Sequence, residues 1–502
     1  MKYDVIIIGA GVGGLFSAYQ LTKDGKKVLL IDKQSVPGGV ATTFTRKGFT
    51  FESSIHCVDA MGTDGEVRQY LREYGLDARV EFIPIKDFGR LIYPDHDFIV
   101  HSGRDAFLES LRKAFPLEQK NLKRLFIHFD KFFLHFSRYR DSAVPTWLEL
   151  LLMPFLCPLV MKASCMTADE FMRGYLRDTK LQAMLSDIWR YIGLPPKRVS
   201  AFYFLMLLGG YYYQPTAHIK GGFMKLFEVM VEEIRMAGSE VLLNTEVTAI
   251  IMRHGVAESV QTATGDVFSA SAVISNVNPI TTLTGLIDDA GIRKAYSLKL
   301  AQLEKSPSAV QVYLGLSKHP RDLGMVSHRY SINTSYEHEE SFKRCYDGDY
   351  ETCCIELTSH SQLDPTLAPS GKGSLVIMTY DVYEHWAGLE RNDYLKKKEE
   401  VAQILIRRVE KYLPGLTAAI ELKEVATPLT MQRYSGSPEG SLYGFAQTVS
   451  QAGLHRLKQK TAVQGLYLVG GWTFPGGGVH ACFNSAMETS HFVSEYLQRK
   501  RP

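Results

Sequence analysis

At 502 residues the chain exceeds what one hydrophobic core serves, so two or three domains are expected. Hydrophobic residues make up 45%, charged residues 22%, and the formal charge is +3, which excludes a disordered chain, a collagen-like repeat and a strongly basic nucleic-acid binder. The seven cysteines are odd in number and form no C-x-x-C pair, so they read as reduced thiols of a cytoplasmic protein.

The first element is the apolar run Tyr3 to Ile8, which predicts a buried central strand of a parallel sheet. A fold that starts this early leaves no room for a cleaved targeting peptide. Gly9, Gly11 and Gly14 follow as G-x-G-x-x-G, with Val12 and Gly13 inside the turn. Gly9 permits the tight turn, Gly11 admits a pyrophosphate to the backbone, and Gly14 allows helix to pack on strand. A helix from Val12 to about Asp24 points its positive end at those phosphates. A second strand, Lys27 to Ile31, ends in Asp32 and Lys33, which puts a carboxylate where ribose hydroxyls bind. These elements predict an adenine dinucleotide and leave its identity open.

Further glycine segments follow: Pro37-Gly38-Gly39-Val40 with Phe49-Thr50-Phe51-Glu52, then Lys220-Gly221-Gly222 before a helix. Glu240 to Leu243 reads as a strand leading to Asn244-Thr245-Glu246-Val247. Gly465 to Gly471 is a strand running into a glycine turn, and Trp472 to Val479 leads to a closing helix, about Ala481 to Gln498. In this order the segments resemble the FAD signature of the amine oxidase and phytoene desaturase superfamily. The resemblance implies that Gly38 and Gly39 pass beneath the ribityl phosphate and flavin, with Val40 where the family usually has Arg. It implies that the Val247 backbone holds adenine, and that Gly470, Gly471, Gly478 and Val479 approach the isoalloxazine ring. The closing helix then stabilises negative charge on reduced flavin.

Ala272 to Pro279, Phe51 to His56, Thr427 to Thr430 with Tyr434, Gly440, Tyr443 and Gly444, and Asp364-Pro365-Thr366 with Pro369 and Gly371 are similar to segments of phytoene desaturases, carotenoid isomerases and retinol saturases. This implies an FAD-dependent oxidoreductase acting on a long apolar polyene or isoprenoid lipid by desaturation, double-bond saturation or cis–trans isomerisation. The electron donor or acceptor stays open. An amine or amino-acid oxidase is one alternative, and a prenyl-lipid carrier of the Rab escort and dissociation-inhibitor type is another. His56, after the flavin-contacting segment, and His480, at the head of the last helix, are the candidate proton-handling residues. No metal-ligand cluster or Ser-His-Asp arrangement stands out.

Motif order predicts an α/β fold: a discontinuous Rossmann-type FAD-binding domain over 1–100, 215–285 and 455–502, a helical lid over 101–214, and a mixed-sheet substrate domain over 286–454. The last should hold strands Ser308 to Leu316 and Gly373 to Tyr380 and a helix from Asp393 to Tyr412. Trp147 to Met161 is too short, and too broken by Pro154 and Pro158, to span a bilayer. It reads as an interfacial patch, hence a peripheral membrane contact, or as a buried lid helix. Of Tyr211-Tyr212-Tyr213, at least one should pack away from any pocket. Cys353-Cys354 reads as a redox dithiol or, more plainly, as two strand residues facing opposite ways.

Overall fold

The computed structural model describes residues 2–141 and 147–500, with side chains described outside 138–151. Lys2–Ile8 forms the middle of a seven-stranded sheet, parallel to Val28–Ile31 on one side and to Val267–Ser275 on the other. Leu466–Leu468 extends it beside Val267–Ser275, and Glu240–Leu242 closes the far edge. Alternation along the central strands fills two layers at once. Val5, Ile7 and Leu30 pack against the helices Val12–Lys23, Met224–Met236 and Val479–Arg499, while Ile6, Ile8 and Leu29 face the opposite core. A parallel strand covered on both faces has to be apolar throughout, and all four residues of Val28–Ile31 are buried.

The second sheet is mixed and also seven-stranded, in the order Ile420–Ala426, Ser308–Leu316, Gly373–Asp381, Ile355–Thr358, Arg329–Ile332, Asp87–Ile92, Asp97–His101. The hairpin 87–101, expected with the nucleotide-binding portion up to residue 100, pairs here instead, Tyr330 opposite Arg90. The reason is packing. Phe88, Leu91, Phe98 and Val100 belong to the aromatic core of the helical layer, with Phe107, Phe126 and Tyr212. The fold is thus α/β, a Rossmann-type sheet joined to a mixed sheet and a helical layer.

That layer spans Arg104–Ala114 to the turn Gly209–Tyr213. Tyr211, Tyr212 and Tyr213 are all buried, because a π-helical turn spreads them through one aromatic cluster. Cys353 and Cys354 precede the strand Ile355–Thr358 instead of lying on it, and both are buried. In the segment expected to touch a membrane, helices run over Trp147–Leu156 and Pro158–Ser164. The side chains of 147–151 lie outside the described residues. Beyond them Phe155 is 81% exposed, with Leu152 and Leu156 exposed beside it, and Met153, Cys157 and Val160 are buried. Among the described residues no helix is long and apolar enough to cross a membrane.

A hairpin, Thr43–Arg46 with Phe49–Glu52, links the first sheet to the helix Met224–Met236. Glu52 is buried at its end, accepting from the Phe223 N–H at 2.9 Å and from the Thr43 hydroxyl at 2.8 Å. Burial raises its pKa from 4.5 to about 7, against the pull of those two donors. The folded chain therefore holds this proton more tightly than the unfolded chain. Stability from the group is fully present below pH 4.5 and falls as pH rises to about 7, by at most about 3 kcal/mol. Glu52→Gln keeps the bond from the Phe223 N–H, turns the Thr43 bond round so that its NH2 donates to the hydroxyl, and has nothing to ionise. Its thermal midpoint should fall less than the wild type's between pH 4.5 and pH 7, and two parallel curves would refute the assignment.

Candidate functional site

Three glycine segments meet backbone to backbone where the parallel strands end. Gly9 adopts φ +95°, which an L side chain avoids, and the chain turns there into the helix Val12–Lys23. Gly38 returns onto this turn, its N–H bonded to the Ala10 carbonyl at 2.8 Å. From the other end of the chain, Gly470 lies so close that a Cβ on Gly13 would stand 2.9 Å from its Cα. Asn276, just after Val267–Ser275, holds the pieces together. With its amide oriented to satisfy both neighbours, it accepts from Gly11 N–H at 3.1 Å and donates to the Val469 carbonyl at 3.2 Å. A Cβ on Gly11 would lie 2.5 Å from that amide. Among the described residues the helix begins with no side-chain cap and no acid in its first turn, so its positive end meets the cleft uncovered.

A long cleft runs past this cradle. At one end it is lined by Asp32, Lys33, Gln34, Thr245, Glu246, Val247 and Leu286; at the centre by Gly9, Gly11, Val12, Gly13 and Asn276. At the other end stand Gly38, Gly39, Val40, His56, Met378, Leu442, Tyr443, Gly471, Trp472, Gly478 and Val479. Gly14 and Gly470 sit behind the lining as packing contacts: a side chain on Gly14 would strike the Gly9 carbonyl, and one on Gly470 the Asn276 amide. The Asp32 carboxylate is fixed by Ala10 N–H at 2.5 Å and Gln34 N–H at 2.7 Å. Burial raises its pKa, which these amides and Lys33 oppose. The shape suits a dinucleotide: an acid at one end, a bare helix terminus in the middle, and backbone glycines where a flat ring would lie.

The two candidate histidines occupy opposite environments. His56 lines the cleft, its side chain 17% exposed, with Nδ1 2.7 Å from the Thr358 hydroxyl and Nε2 3.8 Å from Glu356. Burial lowers its pKa; Glu356 opposes this and Arg329 adds to it. Glu356 is held in turn by Arg329 Nε at 2.8 Å. Arg329 is fully buried between the rings of Phe88 and Tyr191. His480, by contrast, lies outside the lining. Its Nδ1 is 2.9 Å from Asp59 and its Nε2 2.9 Å from Glu66. Burial disfavours its charge, but the two carboxylates outweigh it and raise its pKa to about 10. With both nitrogens occupied, it is a fixed cation, not a proton shuttle.

Asn276 and Asn278 lie within the segment Ala272 to Pro279, where nothing local marks a role for them, and Asn278, donating to the Gly436 carbonyl at 2.9 Å, draws the loop 434–437 over the cleft. Gln311, Met378 and Trp472 carry no local signal, because only the meeting of two sheets puts them in one wall. Among the described residues no cluster of His, Cys, Asp and Glu is arranged for a metal. Gly11→Ala should cost about 1–3 kcal/mol of stability through overpacking and strip visible flavin absorbance from the purified protein. Gly285→Ala, whose Cβ meets nothing within 4 Å, is the control and should change neither.

The family model described as flavin containing amine oxidoreductase matches residues 12–491. Prolycopene isomerase 1, chloroplastic, of an Oncidium hybrid cultivar is 28% identical, covering 100% of this chain and 86% of its own. The 4,4'-diapophytoene desaturase (4,4'-diapolycopene-forming) of a Methylomonas species is 26% identical over 98% and 95%. The all-trans-retinol 13,14-reductase of Danio rerio is 24% identical over 93% and 82%. A redesigned putrescine oxidase of 16% identity shares the fold, with a TM-score of 0.66 over 99% of each chain. The family match covers nearly the whole chain, from just inside the first glycine turn into the closing helix, and on that ground the chain belongs to the flavin-containing amine oxidoreductases and is a flavin-dependent oxidoreductase.

Proposed function

We propose that the protein binds FAD along the cleft and acts on a long apolar polyene or isoprenoid lipid, by desaturation, saturation of one double bond or cis–trans isomerisation. In this reading Asp32 and the Val247 backbone hold the adenosine, and Gly9 to Gly14 take the pyrophosphate. Gly38, Gly39 and Val40 then face Gly471, Gly478 and Val479 across the flavin. Bound flavin supplies the hydride chemistry.

The observation that carries the reading is the wall beyond the glycines. Ile55, Met378, Leu442, Tyr443, Val479 and Cys482 line it, and among the described lining residues that end has no carboxylate. An ammonium would find no counter-charge there, whereas an apolar chain needs a dry wall that holds it against the ring. The amine oxidase alternative fits this wall less well. The relatives named for prolycopene, diapophytoene and retinol support the same substrate class.

The protein's own residues supply position and one proton. His56 rests neutral because it is buried; with Nδ1 tied to Thr358 and Nε2 3.8 Å from a Glu356 already paired to Arg329, it is the imidazole at the cleft wall to which this reading gives the proton of the reacting carbon. The charge of His480 is balanced by the carboxylates of Asp59 and Glu66 that clamp it, so an anionic reduced flavin would be met by the positive start of Val479–Arg499. The exposed Leu152, Phe155 and Leu156 support a peripheral contact with a lipid surface, from which such a substrate would enter.

Mass analysis of lipid copurifying with the holoprotein should find a conjugated isoprenoid, and His56→Ala should lower polyene turnover by about 10²–10⁴-fold with flavin content unchanged. Release of peroxide with a small amine, and no polyene turnover, would sink the reading. Replacing Phe155 by Asp should weaken sedimentation with phospholipid vesicles by about tenfold, from the lost apolar burial; unaltered sedimentation would remove the membrane contact.

A further inference from the structure

Three thiols that the cleft does not use meet behind its wall. Cys345 lies in the last turn of the helix His338–Tyr346, and Cys353 and Cys354 lead into the strand Ile355–Thr358; all three are buried. Cys345 Sγ lies 3.8 Å from Cys354 Sγ and is hydrogen-bonded to that of Cys353. The Thr379 hydroxyl stands 3.3 Å from Cys353 Sγ and 3.7 Å from Cys345 Sγ. On its strand Thr379 is flanked by Met378, which lines the cleft, and by Tyr380, whose hydroxyl is 3.5 Å from that of Tyr443.

A fourth group makes this more than packing. Arg408, on the helix Arg391–Glu410, is buried, and among the described residues it forms no ion pair. Its guanidinium donates to the carbonyls of Tyr350 and Cys353 and, at 3.4 Å, to Cys353 Sγ. Carbonyls complete its hydrogen bonds but leave its charge unanswered. A buried cation without an anion is costly, and of these partners only the sulfur can become an anion. The Cys345 bond and the Arg408 charge hold the Cys353 thiol below its ordinary value against burial, while the bonds to Cys353 and Cys354 raise Cys345. The other titratable groups facing the cluster are Arg190 and Asp187 at Cys354, which pair with each other, and Tyr350 at Cys353.

Buried thiols in apolar surroundings are inert, and a cation beside one makes it reactive. Access is short. Glu351 and Thr352, just before Cys353, are exposed, so the sulfur lies under a single turn of chain, held by Cys353 N–H on the Asp349 carbonyl at 2.9 Å. A molecule the size of hydrogen peroxide needs only that turn to open.

We propose that Cys353 is a peroxide-reducing thiolate and that Cys345 closes the oxidised sulfur into a reversible disulfide. The thiolate attacks one oxygen of hydrogen peroxide, the O–O bond breaks, and the hydroxide released takes a proton from solvent. Cys345 then attacks the Cys353 sulfenic acid, the S–O bond breaks, and the oxygen leaves as water with the Cys345 proton. Peroxide gains the two electrons that the two sulfurs lose, and a small dithiol returns them. The adjacent pair Cys353-Cys354 is not the couple, because neighbouring Cα atoms stand about 3.8 Å apart, under the ~4.4–6.8 Å that a disulfide spans. Nothing in this chemistry rests on the lipid substrate.

The test compares Cys353 with Cys165, which is exposed and serves as internal standard. Reduced holoprotein is treated with hydrogen peroxide, the remaining thiols are alkylated with iodoacetamide, and the peptides are analysed by mass. Cys353 should react about tenfold faster than Cys165 and give a disulfide between the Cys345 and Cys353 peptides that dithiothreitol removes. Cys345→Ser should stop at a Cys353 sulfenic acid that dimedone traps, and Cys354→Ser should leave the disulfide in place. Arg408→Gln should slow the oxidation of Cys353 by about tenfold. Wild-type Cys353 still reduced when Cys165 is oxidised would overturn the proposal, and that measurement stands even if a variant fails to fold. A disulfide at Cys345 that persists in Cys353→Ser would overturn it too.

Discussion

The amide of Asn276 is the contact on which the site depends, since it bonds at once to the first glycine turn and to the last. Gly11 N–H lies on one side and the Val469 carbonyl on the other, although these residues are separated by almost the whole chain. The pairing of Val267–Ser275 with both Lys2–Ile8 and Leu466–Leu468 places the amide there. The glycines follow from it. Gly11, Gly13, Gly14 and Gly470 each come within contact of Asn276, so side chains at these positions would push the two turns apart. A buried amide satisfied on both sides is directional in a way that apolar packing is not. It therefore fixes the separation of the turns across which a flat ring has to fit.

The first sheet was legible because its physics is local. An apolar strand, a glycine turn and a helix occur within twenty-odd residues, and the structure gives Lys2–Ile8 and Val12–Lys23 close to where periodicity puts them. The expected strand and helix of the second sheet likewise appear as Ser308–Leu316 and Arg391–Glu410. What stayed hidden depends on neighbours distant in sequence. The hairpin 87–101 carries an ordinary strand pattern, and only the aromatic core of the helical layer decides which sheet it joins. Asn276 is one polar residue after a strand until two other strands flank it. Tyr211 to Tyr213 all pack in the aromatic core, away from the cleft, because a π-turn spreads them through it.

Charge is distributed with the same economy. Arg329, Glu356, Asp187 and Arg190 are all buried behind His56, two of each sign. Asp187 accepts from Ser331 and Asn333 at 3.0 Å each, and Arg190 donates to Asn333 at 2.6 Å. Taking four charges out of water costs more than their attraction returns unless hydrogen bonds complete them, so such a group is a poor device for stability alone. Its consequence for the site is specific: it offers His56 a carboxylate at 3.8 Å whose charge Arg329 already balances. A lone Glu356 would pull a proton onto His56 permanently; the pair does not.

The contrast with His480 shows why residue type could not assign the roles. Both histidines lie beside segments that a flavin protein uses, and both are shielded from water. At His56 desolvation prevails, because the nearby acid is already paired, and the ring stays neutral. At His480 the two carboxylates prevail over the same desolvation, and the ring stays charged. A group that exchanges protons near neutral pH must be able to hold either state. Only His56 has a ring nitrogen not already bound to an acid, and that difference, set by Arg329 some 270 residues further along the chain, separates a residue that can do chemistry from one held as a fixed cation.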